Sequence, residues 1–176
     1  VLEMTMIGPK ILFEDHSLIV ITGADMSPEI NGSPIKMNYV YEVKTSDVLS
    51  FGPLKNGVRS YLGVKGGFIT ENKLNSYSYY EGITTQEKIQ KGERLKIASY
   101  DVSLEMTSSK IKVKSAHFDA KKLEVTKGPE FNRLTKKHRE LLFSRRFKIG
   151  GMNNRMGYQL KNKFLPIKDT EIITST

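Results

Sequence analysis

Three short stretches carry residues able to do chemistry. Thr22-Gly23-Ala24-Asp25 sets a carboxylate just beyond an apolar run, where it could accept from a substrate or from nearby backbone N–H groups. Arg59-Ser60-Tyr61-Leu62-Gly63-Val64-Lys65-Gly66-Gly67 reads as an alternating strand, so Arg59, Tyr61 and Gly63 share one face. Arg59 suits a two-pronged grip on a carboxylate, and Gly66-Gly67 lets a ligand approach the backbone. Asn154-Arg155-Met156-Gly157-Tyr158 places an Arg, a Gly and a Tyr at a loop–strand junction, a corner suited to an anion. Each stretch also has a plainer reading: an Asx-type turn at Asp25, an exposed arginine on a hairpin strand at Arg59, and a core-packed Tyr158 on an edge strand. On spacing alone the plainer reading wins for the first two, and the third stands level.

Other chemistries are excluded or unsupported. The chain has no cysteine, which removes disulfides, thiolate metal sites and cysteine nucleophiles. His16, His117 and His138 lie far apart with no paired-ligand spacing, so no metal site is expected. Gly63-Val64-Lys65-Gly66-Gly67 lacks the spacing and the Lys-Ser/Thr ending of a phosphate-binding loop, and no Gly-x-Ser-x-Gly elbow occurs. No apolar stretch approaches bilayer length, and a cytoplasmic protein is the expectation. The net charge is +9, and all of it comes from residues 101–176, which hold 17 Lys and Arg against 8 Asp and Glu. A basic half can attract anionic substrates, acidic partners or nucleic acid, but a solvated lysine-rich surface is the plainer reading and outweighs any one of these. Its basic and aromatic residues are not interleaved on a clear strand platform, so nucleic acid is the weakest of these.

The elements that must position these residues are short strands. Leu18–Ile21 reads as a buried strand followed by a loop at Thr22–Asp25. Asn31-Gly32 and Asn56-Gly57 each signal a tight hairpin turn, because the pair accepts positive φ at low cost. Tyr39–Val43, Asp47–Phe51, Arg59–Val64, Arg94–Ile97, Ile111–Lys114, Phe147–Ile149 and Met156–Leu160 read as further strands. Residues 71–92 form a long irregular loop with an aromatic cluster at Tyr77, Tyr79 and Tyr80. One helix is expected from about Thr135 to Phe143, with Thr135 as N-cap and Leu134, Leu141 and Leu142 on one face. The pattern predicts an all-β sandwich or barrel.

The three stretches also carry a resemblance. Thr22-Gly23-Ala24-Asp25, Asn31-Gly32, the run from Gly57 to Gly67, Gly128-Pro129-Glu130-Phe131 and Arg155-Met156-Gly157-Tyr158 occur in the same order in the family of the 5-oxoprolinase C-type subunit and allophanate hydrolase subunit 2. That family includes the sporulation regulator KipA and the biotin-dependent carboxyltransferase part of urea carboxylase. The chain resembles an internal piece of it. Two positions depart from the pattern: Asn154 stands where the family has Asp, and Tyr77 where it often has Arg.

The resemblance implies a cyclophilin-like β-barrel used twice. The first barrel would run to about residue 126, lacking its N-terminal part, and residues 127–176 would open the second. It implies that cleft-lining segments lie outside this piece, so the piece alone is expected to be inactive. It implies work on a small amide or lactam beside partner subunits. In the leading reading, subunits A and B (the latter KipI-like) join it in an ATP-dependent 5-oxoprolinase, and ATP enters through the complex. In the alternative, biotin delivers a carboxyl group to a urea-like substrate, or the chain is a KipA-type binding protein without catalysis. Arg59 and Arg155 are the expected catalytic residues. Asp25, Gly66, Gly67 and Tyr158 are the expected substrate-binding ones, with backbone N–H groups near the glycine pair meeting developing negative charge.

Overall fold

The computed structural model describes residues 1–85, 88–98, 121–151, 153 and 157–161. The chain divides into two compact units, Val1–Ala120 and Lys121–Thr176.

In the first unit, alternating side chains build two antiparallel four-stranded sheets. One runs β1 (Leu2–Thr5), β8 (Asn56–Val64), β3 (Ser17–Asp25), β6 (Val40–Val43). The other runs β2 (Ile11–Leu12), β7 (Val48–Phe51), β4 (Pro28–Ile30), β5 (Ser33–Pro34). A small pair, β9 (Phe68–Ile69) and β10 (Lys96–Ile97), also belongs to this unit. Ile19 and Ile21 point inward from β3, and the register sets Ile21 opposite Leu62. These residues join Met4, Phe13, Ala24, Met26, Val43 and Leu49 in one core fed by both sheets. Full burial of a side chain such as Ile21 contributes about 1.5–3 kcal/mol.

The all-β expectation holds, but the described strands do not close into a barrel. β1 and β6 remain the ends of one sheet, and β2 and β5 the ends of the other. Gly8-Pro9 carries the chain from the first sheet to the second, and Gly52-Pro53 carries it back. Proline has no N–H to donate, so it breaks a ladder where the chain must change sheets.

Asn31-Gly32 forms the expected hairpin turn between β4 and β5, with φ of 52° and 78°. Asn56-Gly57 does not form one. It lies inside β8, and β7 and β8 belong to different sheets. The positive φ of Gly57, 75°, instead lets the backbone press against Ala24, where a methyl group would sit 2.8 Å from the Ala24 Cβ. β3 also outruns the expected strand, continuing through Thr22–Asp25 because the ladder with β8 tolerates a register shift between Gly23 and Asp25.

The second unit opens with a 3-10 turn at Pro129–Arg133 and continues into α1 (Lys136–Ser144). The Thr135 side chain accepts from the His138 N–H at 3.3 Å, the expected N-cap. Phe131 meets Phe143 at 6.4 Å, with the Lys127 and Arg139 cations over its ring. β11 (Lys148–Ile149) pairs with β12 (Leu160–Lys161). The strand expected at Ile111–Lys114 lies outside the described residues. No helix among the described residues is long and apolar enough to cross a membrane.

Candidate functional site

The first stretch bends around a glycine. Gly23 has φ of 86°, and a methyl group there would run into the Arg59 carbonyl oxygen and press on the Tyr61 ring. Only glycine lets β3 lie this close to β8 at its end. The turn that follows places Asp25 so that its Oδ1 accepts from the Ser27 N–H at 2.8 Å, while its Oδ2 is 3.8 Å from Lys55 Nζ. The Asp25 carboxylate therefore holds an Asx-type turn together.

Arg59 shares its face with Tyr61 and Gly63, as alternation predicts. Thr5 pairs with Arg59 and Glu3 with Tyr61, so Glu3 is the diagonal neighbour of Arg59 across the ladder. Arg59 Nε lies 3.5 Å from Glu3 Oε1, with side chains 26% and 28% exposed. Tyr61 in turn faces Thr22 on β3. A guanidinium has five N–H donors, so this pairing can orient the group without exhausting it.

The glycine pair occupies the other end of the strand. Gly67 N–H donates to Val64 O at 3.0 Å, and Gly67 O accepts from Ala98 N–H at 3.0 Å. Gly66, at φ of 77°, packs on Ala98. The Gly67 N–H is thus used by the turn into β9. Five steps of extended strand separate Arg59 from Val64, roughly 17 Å. Arg59 and Asp25 share one end of β8, and Gly66 and Gly67 lie beyond the other end. The two groups do not converge on one small molecule.

Arg155 and Asn154 lie outside the described residues. Tyr158 belongs to the second unit and is 63% exposed.

A hollow that spacing did not suggest forms within the loop after β9. It is a half-open depression of about 300 Å³ lined by Lys73, Leu74, Ser76, Tyr79, Tyr80 and Ile83 among others. The loop is irregular but pinned. The Glu71 carboxylate accepts from the Thr85 N–H at 2.9 Å and its hydroxyl at 3.1 Å, and pairs with Lys73 at 3.2 Å. The Thr85 N–H, then Lys73, hold the Glu71 carboxyl below its usual range. The Thr84 hydroxyl accepts from the Tyr80 N–H and donates to its carbonyl. Thr70 Oγ1 donates to the carbonyl of Tyr77, the residue standing where the resemblance would place an arginine. The tyrosine cluster was the only trace of this feature in the sequence, because closure depends on Glu71 meeting Thr85 fourteen positions away.

His16 Nε2 meets Glu42 Oε1 at 2.6 Å, and His138 is buried in the second unit. Among the described residues, no three His, Asp or Glu side chains gather to hold a metal.

These features define an all-β domain of two open sheets around one core. The whole chain, residues 1–176, matches the family described as carboxyltransferase domain, subdomain A and B, and the chain belongs to that family. It is 38% identical over 79 residues to urea amidolyase of Saccharomyces cerevisiae, covering 45% of this chain and 4% of that protein. It is 29% identical over 77 residues to the C-type subunit of 5-oxoprolinase from Haemophilus influenzae, covering 44% of this chain and 25% of that protein. The crystal structure of Kluyveromyces lactis urea amidolyase superposes with a TM-score of 0.69 at 25% identity, over 92% of this chain and 11% of that one. That of TTHA0988 gives 0.73 at 19% identity, over 93% and 60%, which speaks to the fold alone.

Proposed function

We propose that the chain is part of a carboxyltransferase-type protein that holds a small urea-like amide for carboxyl transfer from biotin carried by a partner domain. The observation that carries this reading is the family match along the whole chain, together with the higher identity to urea amidolyase than to the Haemophilus influenzae 5-oxoprolinase component. Arg59, oriented by Glu3, is suited to steady an anionic group. Biotin would bring the transferable carboxyl group; this chain's own residues would bind and orient the acceptor.

A second reading is the C-type subunit of an ATP-dependent 5-oxoprolinase working with subunits A and B, favoured by the similarity to the Haemophilus influenzae protein. There ATP would drive opening of a stable lactam from within the complex. In both readings the protein works in the cytoplasm.

The test uses the full-length protein with its co-purifying partners. ATP- and bicarbonate-dependent turnover of urea supports carboxyl transfer. ATP hydrolysis that depends on 5-oxoproline and not on bicarbonate supports the second reading and sinks the first. Neither activity, with a stable partner complex, leaves a KipA-type binding protein.

A further inference from the structure

The two Asn-Gly pairs, Asn31-Gly32 and Asn56-Gly57, are used by neither reading of the function. Asn-Gly can convert itself, because glycine leaves its nitrogen unhindered. The glycine nitrogen attacks the Asn Cγ, the C–N bond to the side-chain amide breaks, and ammonia departs. The cyclic imide then takes up water and opens to Asp or its β-linked isomer. Water is the only co-reactant, and nothing is oxidised or reduced.

Both asparagines are exposed, yet their side chains are held differently. Asn31 is clamped at both ends of its amide. Its Nδ2 donates to Asp47 Oδ1 at 2.7 Å, and its Oδ1 accepts from the Val48 N–H at 2.9 Å. Both bonds must break before Cγ can turn toward the Gly32 nitrogen. The product fits badly as well, since a new carboxylate would replace a donor that faces the Asp47 carboxylate. Asn56 makes one long contact, its Oδ1 accepting from the Asp25 N–H at 3.4 Å. A carboxylate there keeps that acceptor role.

We infer that Asn56 is a spontaneous deamidation site of the folded protein, while its carboxylate clamp protects Asn31. Asn56 pairs with Asp25 at the end of β8 that carries Arg59. Conversion adds a negative charge three residues from Arg59, and the β-linked isomer lengthens β8 at its register shift against β3.

The test ages the full-length protein at mildly alkaline pH and digests it with a lysine-specific protease. This releases Ile11–Lys36 and Asn56–Lys65, each with a single Asn. Mass spectrometry follows amide-to-acid conversion in both peptides. In the folded protein Asn56 converts several-fold faster than Asn31, and in denaturant the two rates come together. Equal or faster conversion of Asn31 in the folded protein overturns the inference, as does an Asn56 that reacts only in denaturant. Asp47→Ala should raise the Asn31 rate and leave the Asn56 rate unchanged. Continued protection of Asn31 in that variant shows that the clamp is not the cause. If Asp47→Ala unfolds the protein, both rates rise together, and the wild-type comparison decides.

Discussion

Arg59 and Glu3 meet diagonally across the β1–β8 ladder, Nε to Oε1 at 3.5 Å, with about three quarters of each side chain covered. The arginine is therefore a positioned cation rather than a loose one. A structural role and a binding role make different predictions for it. If it only ties β1 to β8, Arg59→Ala and Glu3→Gln weaken folding through a coupling of about 0.5–1 kcal/mol in a double-mutant cycle. If it also grips an anion, Arg59→Ala lowers turnover of the assembled protein about tenfold or more, the size expected for losing a charged hydrogen bond. Glu3→Gln then costs less. Wild-type turnover in Arg59→Ala would remove the arginine from the site.

Gly23→Ala should be far worse than Gly32→Ala, although both positions have positive φ. At Gly32 the added methyl meets open space, so the cost is the backbone term alone, about 1 kcal/mol. At Gly23 the methyl also collides with the Arg59 carbonyl, and about 3 kcal/mol or more is expected. Denaturant midpoints of the two variants decide it, and equal losses would show that β3 and β8 are less tightly apposed there.

Acid should loosen two clamps. The Lys44 N–H, then the Asn31 side chain, lower the Asp47 carboxyl below its ordinary 3.8, and Glu71 likewise lies below its ordinary 4.5. A depressed folded value means that each contribution is complete above the ordinary value and is lost as pH falls through the lower one. The protection factors of the Val48 and Thr85 amides, taken relative to intrinsic exchange at each pH, should therefore fall as the solution is taken below those values. In Glu71→Gln, the acid-induced change at Thr85 should disappear while that at Val48 remains.

Leu62 is 1% exposed in a core fed by both sheets, so Leu62→Ala should cost about 2–5 kcal/mol. In the second unit, Thr135→Ala removes a helix cap and should cost about 1 kcal/mol, read from helical circular dichroism on heating. A Leu62→Ala loss well under the stated range would mean that the core can collapse around the missing side chain.

Much of the strand pattern was legible because its cause is local. The apolar run at Leu18–Ile21 and the alternation at Arg59–Val64 mark strands from their own residues, and Asn31-Gly32 accepts the positive φ that its hairpin turn needs. Thr135 was readable as a cap for the same reason. Asn56-Gly57 misled because an identical local preference for positive φ can serve close packing against Ala24 as well as a turn. The choice depends on β3, which lies more than thirty residues earlier.

What the sequence determined by itself was the class: short alternating strands, Pro and Gly corners, a chain without cysteine, and ordered motifs that point to one family. The strands, corners and composition follow from side-chain period and backbone freedom, which need no knowledge of neighbours, whereas the family rests on the resemblance of the ordered motifs. Tertiary structure alone decided that Arg59 leans on Glu3 and that Asp25 pairs with Asn56 across the β3–β8 ladder. It also decided that Glu71 and Thr85 close a loop into a hollow. Each of these is a distance between residues far apart in the chain, and such distances exist only once the sheets have paired.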